Sequence, residues 1–218
     1  MNTQMEARKT RVLQPFLVLL IALTLPTMPI AQEKSPDTIR DLQALVHALQ
    51  KGGYVIYFRH AATDHSQTDS DRVDFKNCAT QRPLSEEGRE QSRVIGKAFV
   101  ALRIKVAKVI TSPYCRCIDM GRLAFGEVTI DNDLAFAIKQ PELETKRLAA
   151  ALRHFLGTKP PEGANTVLIA HTANLKEAAE IWPKLEGVAH VFQPHGDSGF
   201  SHVGMVLPEE WAVLAQLK

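Results

Sequence analysis

Apolar residues recur along this chain in two spacings, and the alternation between them predicts its elements. From residue 37 to 49 they fall at Ile39, Leu42, Leu45, Val46 and Leu49, three and four apart, which predicts an amphipathic helix. Asp37 is placed to cap that helix, and Gly52-Gly53 to stop it. Val55-Ile56-Tyr57-Phe58 is a short β-branched and aromatic run that predicts a buried strand ending abruptly at Arg59-His60. Val109-Ile110 and Val167-Leu168-Ile169-Ala170 predict two more buried strands, and Val128-Thr129-Ile130 a short one. Helical spacing fills the intervals. One helix opens at Ser85 as N-cap and runs through Ile95, Phe99 and Leu102, and another spans about residues 117–124. A third covers residues 142–156, with Leu143, Leu148, Leu152 and Phe155 as core candidates, and a fourth covers residues 175–181. Residues 188–193 and 200–207 predict an antiparallel pair joined by Pro194-His195-Gly196-Asp197-Ser198-Gly199. Strands alternating with helices imply an α/β three-layer sandwich: a mostly parallel central sheet with helices on both faces.

Residues 64–83 break the pattern. They are dense in Asp, Ser, Thr, Asn and Gln, with no period, and a loop this long in a compact domain is usually functional or disordered. Asp64, Asp69, Asp71 and Asp74 lack the Gly and terminal Glu of a calcium-binding loop, so solvated side chains are expected there.

The 218 residues suit one domain of ordinary size, and a formal net charge of +2 without a Lys/Arg block gives no case for a nucleic-acid partner. At the N-terminus, Arg8, Lys9 and Arg11 precede an apolar run from residue 16 to 25, followed by Pro26-Thr27-Met28-Pro29-Ile30-Ala31. That order describes a secretory signal peptide over residues 1–31, and the run is short of the about 20 residues a transmembrane helix needs. The expected organisation is a signal peptide followed by a single domain over residues 32–218, secreted or periplasmic, without stable membrane insertion after cleavage. An uncleaved N-terminal anchor is the alternative. In an oxidising compartment Cys78 can pair with Cys115 or Cys117, leaving one thiol; three small buried cysteines are the competing expectation. No zinc spacing is present.

Chemistry gathers where strands stop. Three of them deliver Arg59-His60, Arg116 and His171 to their carboxyl ends, the edge where open α/β sheets bind ligands. Two guanidiniums and two imidazoles make a receptor for a small oxyanion, with bidentate arginine contacts to phosphate. A neutral histidine among them can attack phosphorus, and the surrounding charge stabilises the group in transfer.

These residues stand in motifs that resemble the histidine phosphatase (phosphoglycerate mutase-like) superfamily. Arg59-His60-Ala61-Ala62-Thr63 resembles its Arg-His-Gly-x-x-Thr signature, and Leu84-Ser85-x-x-Gly88-x-x-Gln91 its Leu-Thr-x-x-Gly-x-x-Gln helix start. Ser112-Pro113-x-x-Arg116 resembles Ser-Ser-Pro-x-x-Arg, and the strand from Val167 precedes the second histidine, His171. The four occur in the family's order. The resemblance implies a histidine phosphatase-like fold and a phosphatase that hydrolyses phosphomonoesters through a phosphohistidine intermediate. His60 would be the nucleophile. Arg59, Arg116 and His171, the last most useful as a cation, would bind the phosphoryl oxygens of a small phosphorylated substrate. No metal or organic cofactor is implied.

The departures concern the proton donor. Ala61 and Ala62 replace a glycine and an acidic residue common in the family, and Thr172 stands where the acid phosphatase branch has its acid, so that His171-Thr172-Ala173-Asn174 looks like His-Asp-x-Asn without the acid. Glu142 is the candidate acid, with Glu144 and Asp64 behind it. A missing acid would favour good leaving groups or a phosphoramidate, hence a phosphohistidine phosphatase as one alternative. A phosphomutase, and a catalytically weak or silent phosphate-binding member of the fold, are the others.

Overall fold

The computed structural model describes residues 41–138 and 140–216. The expected signal peptide, the polar linker after it and the Asp37 cap lie outside the described residues. In the described chain the first helix, α1, spans Leu42–Lys51 and is capped by Asp41, which accepts from the Gln43 amide. Leu45, Val46 and Leu49 are its buried face.

Six strands form one sheet in the order β3-β2-β4-β1-β5-β6. They are β1 (Val55–Arg59), β2 (Val106–Thr111), β3 (Thr129–Ile130), β4 (Asn165–Ala170), β5 (Ala189–Pro194) and β6 (Phe200–Val206). β1, β4, β2 and β3 pair in parallel, while β5 runs antiparallel to both β1 and β6, so the sheet is mostly parallel as the α/β pattern predicts. Alternation along the two central strands separates the layers. Ile56 and Phe58 of β1, with Val167 and Ile169 of β4, face a core shared with α1, α2 (Glu86–Ala101), α3 (Cys115–Phe125) and α6 (Glu210–Leu214). Val55 and Tyr57, with Leu168 and Ala170, face α4 (Glu142–Gly157) and α5 (Thr172–Ala179).

Three expectations change. Leu143 is 82% exposed, because it lies five residues, about 140° of helical rotation, from Leu148, and the buried stripe of α4 is Leu148, Ala149, Leu152 and Leu156. α3 starts at Cys115, two residues earlier than the pattern suggests, which puts Arg116 inside its first turn. The short α6, which the spacing does not reveal, closes the first core with Trp211 and Leu214. No helix among the described residues is long and apolar enough to cross a membrane.

Candidate active site

β4 lies between β1 and β2, so the residues just past their carboxyl ends share one edge of the sheet: His60 after β1, Ser112 after β2 and His171 after β4. The His60 ring is 5.5 Å from that of His171, edge-on, and both residues are buried, at 3% and 1% exposure. Arg116, from the first turn of α3, is wholly buried beside them.

The polar contacts assign the ring protons. His60 Nδ1 lies 3.0 Å from the Ala61 carbonyl, which can only accept, so Nδ1 carries the hydrogen and Nε2 keeps its lone pair. Burial, and then the charge of Arg116, hold the His60 imidazole well below its ordinary value, and it is neutral. His171 Nδ1 is 3.5 Å from Arg116 Nη2, which can only donate, so the remaining His171 proton sits on Nε2 and is donated to Ser112 Oγ at 2.8 Å. Burial first and Arg116 second hold the His171 imidazole well below its ordinary value too. Its ring stacks between Tyr114 and Phe136, at 4.8 and 4.7 Å, and the Tyr57 hydroxyl donates to its carbonyl at 2.6 Å.

The arginines are tied to carboxylates. Arg116 Nη1 donates to Asp69 Oδ1 at 2.8 Å, and its guanidinium lies over the Tyr114 ring, 4.5 Å from the centroid. Asp69 is thus a partner of the site, unlike the solvated side chain its loop suggests. Arg59 donates to the carbonyls of Pro183 and Lys184 and to Glu186 Oε1 at 3.2 Å. Glu186 also accepts from the Thr63 hydroxyl at 2.8 Å and the Thr63 amide at 3.0 Å, and Arg82 Nη2 is 3.9 Å from it. The Nε–H groups of Arg59, Arg82 and Arg116 are all buried without an acceptor among the described residues. Buried donors rarely stay unpaired, so an anion suits this cluster.

The motif residues hold the loop that follows His60. The Ala62 amide donates to Gln91 Oε1 at 3.1 Å, and the Ser85 amide to the Ala62 carbonyl at 3.0 Å. Gly88 is needed there, because a Cβ on it would stand 1.9 Å from the Ala62 oxygen. Gly187, at φ 86°, brings its amide against the carbonyls of both Arg59 and His60 and sets Glu186 beside them.

Glu142 does not join this cluster. Its side chain is 82% exposed on the first turn of α4 and pairs with Lys146, one turn on. Glu144 pairs with Arg147, and Asp64 accepts from Ser66 and Gln67, contacts that hold both carboxyls below their usual range. Asn174 braces the neighbouring loop, accepting from the Ala137 amide and donating to the Ala135 carbonyl, which fixes Phe136 against His171. Among the described residues no group of three or more His, Cys, Asp or Glu is arranged to hold a metal ion. The disulfide joins Cys78 to Cys115, next to Arg116, while Cys117 is a buried free thiol pushed up to about 12, chiefly by burial.

Sequence motifs reach His60, Arg59, Arg116, His171 and Ser112 but miss three site residues. Arg82 directly precedes Pro83-Leu84-Ser85, and that adjacency to a motif is its only signal. Asp69 sits in an aperiodic loop. Glu186 comes from a segment whose one mark is the following Gly187.

No protein-family model matches the sequence, and no curated protein sequence does either. Solved structures do. A phosphoserine phosphatase from Entamoeba histolytica in complex with 3-phosphoglyceric acid aligns with a TM-score of 0.50 at 13% identity, covering 71% of this chain and 96% of that one. A mycobacterial glucosyl-3-phosphoglycerate phosphatase with VO3 aligns at 0.49 and 15% identity, over 69% and 97%. The protein histidine phosphatase SixA with tungstate aligns at 0.47 and 14%, over 72% and 98%. With its six-stranded, mostly parallel sheet between two helical layers, the chain has the histidine phosphatase fold.

Proposed function

We propose that this chain is a phosphatase that hydrolyses a small phosphomonoester through a phosphohistidine at His60. The observation that carries this is a buried, neutral His60 with Nε2 free to attack, beside three guanidiniums whose buried Nε–H groups lack an acceptor. His60 Nε2 attacks phosphorus, Arg116 and Arg59 hold the phosphoryl oxygens, and Ser112 and Arg116 orient His171 beside them. Burial first and the charge of the arginines second hold His171 below its ordinary value, and a bound phosphoryl dianion opposes the second of these, so proton uptake by His171 accompanies binding. Water then hydrolyses the phosphohistidine. No step calls for a metal or organic cofactor.

Residues 1–31 act in this reading as a signal peptide, and the product is secreted or periplasmic. A Cys78–Cys115 bridge supports that placement, because disulfides persist in oxidising compartments.

The test is a rapid-quench reaction with phosphorus-labelled 4-nitrophenyl phosphate, followed by mapping of the label. Acid-labile label on His60, absent from His60→Ala, is expected. Phosphate binding without label or turnover would make the chain a silent phosphate-binding member of the fold.

A further inference from the structure

Two carboxylates reach the arginines of this site, Glu186 at Arg59 and Asp69 at Arg116. Glu186 Oε1 is 4.0 Å from His60 Nδ1, the ring edge turned away from Nε2. Attack by Nε2 drives the leaving oxygen out in line on the far side of phosphorus. Glu186 is therefore behind the nucleophile, and Arg59, the Thr63 hydroxyl and the Thr63 amide already engage its oxygens. Asp69 is the carboxylate on Arg116. Its Oδ1 accepts from Arg116, whose other terminal nitrogen meets His171, and its Oδ2 has no hydrogen-bond partner among the described residues.

Asp69 is held there from several directions. The Arg82 amide donates to its Oδ1 at 2.9 Å, Gln81 Oε1 accepts from the Cys115 amide at 2.8 Å, and Cys78 is bonded to Cys115. The polar loop is thereby fastened onto the turn of α3 that carries Arg116.

Resting on the phosphatase reading above, we propose that Asp69 is the general acid that protonates the leaving oxygen. A phosphoryl group on Arg116 sets its oxygens beside the Asp69 carboxylate, and the two anions hold one proton between them, brought in by the monoanionic ester. In the first step the Nε2 lone pair of His60 forms the N–P bond. The P–O bond to the leaving group breaks, and the Asp69 carboxyl gives its proton to the departing oxygen, which leaves as an alcohol. In the second step the Asp69 carboxylate takes a proton from water as the water oxygen bonds phosphorus. The N–P bond breaks, its electron pair returns to Nε2, and inorganic phosphate leaves as the monoanion, carrying the proton that Asp69 took up, so that Asp69 is again the carboxylate paired with Arg116. An acid here extends the substrate range to alkyl phosphates, against the preference for good leaving groups that the motifs imply.

The experiment compares Asp69→Asn with the unaltered chain on glycerol phosphate and on 4-nitrophenyl phosphate, whose leaving group needs no proton. Alkyl turnover should fall by about 10²–10⁴-fold, the usual contribution of a general acid, and aryl turnover by less than about tenfold. Labelling of His60 by the aryl ester should persist in the variant, which a misfolded chain would not show. An equal fall on both substrates overturns the proposal and makes Asp69 a support for Arg116. Undiminished or faster alkyl turnover also overturns it, the carboxylate then merely competing with phosphate for Arg116. So does an unaltered chain that hydrolyses the aryl ester alone. Absence of any label on the unaltered His60 is a separate failure, that of the phosphatase reading, and removes this proposal with it.

Discussion

Cutting the Cys78–Cys115 bridge tests how the loop that carries Asp69 and Arg82 is kept on the site. The bridged residues are 37 apart in sequence. In the chain-entropy treatment, closing that loop removes about 13 cal/mol/K from the unfolded ensemble, or about 4 kcal/mol at 25 °C. For a chain of this size that corresponds to a fall of about 8–16 °C in Tm. Cys78 is exposed and Cys115 is 6% exposed, so the double variant Cys78→Ala/Cys115→Ala removes little packing beyond the bridge. Urea unfolding of the oxidised chain, the dithiothreitol-reduced chain and the double variant should show a loss near 4 kcal/mol in the last two. The loop is also held by the Asp69–Arg116 and Arg82–Glu186 pairs, the Phe75 ring against Tyr114, the Gln81 contact to the Cys115 amide and the short bridge between Thr63 and Leu84. Because Cys115 adjoins Arg116, KM for 4-nitrophenyl phosphate should rise along with the lost stability. A loss below about 1 kcal/mol with an unchanged KM would refute the reasoning and assign the loop's order to its non-covalent contacts.

Two further predictions follow from the same contacts. Glu186→Ala leaves the largely buried Arg59 without its carboxylate and the Thr63 amide and hydroxyl without their acceptor, so a loss of about 3 kcal/mol is expected in urea unfolding; a loss under about 1 kcal/mol would mean solvent replaces the carboxylate. Stability should also fall with pH. His60, His171, His190 and His202 are all held below their ordinary value in the folded chain, each chiefly by burial, so below pH 6.5 the unfolded chain takes up protons that the fold refuses. Stability is thus greatest above pH 6.5 and declines toward the folded values. His190, lowered to about 4, alone accounts for about 3 kcal/mol between pH 6.5 and 4, and unfolding curves that coincide from pH 7.5 to 5 would contradict this.

What the sequence discloses about this molecule divides along the line between local and tertiary causes. β1 and β4 announce themselves because both faces of each strand are buried, and a strand buried on both faces reads as an unbroken apolar run. Ser85 announces the start of α2 because an N-cap is a property of four consecutive residues, and its hydroxyl does accept from the Gly88 amide. Gly88 and Gln91 are legible as a motif, though their reason, contact with the backbone of Ala62, needs the fold. Leu143 misleads because apolar character in a first helical turn does not say which way the stripe will rotate.

The carboxylates show the other side of that line. Glu142, the acid suggested by chain order, is claimed by Lys146 one turn along its own helix, a local pairing that leaves it in solvent. Asp69 looks like one more polar side chain of an aperiodic loop. It becomes a member of the site because a disulfide 9 residues further on, counting Asp69 to Cys78, bends that loop back onto α3, where a wholly buried guanidinium needs a counter-charge. Glu186 is in the same position across the sheet edge, drawn in by Arg59 and fixed by the turn at Gly187. Arg59 and Arg116 are written as motifs, each read from a few adjacent residues. Their partner carboxylates are written only as three-dimensional charge balance, which any loop of adequate reach can supply. With Asp69 proposed as the acid, an acid sought by motif in this chain is sought in the wrong place, and the buried guanidiniums are the guide to it.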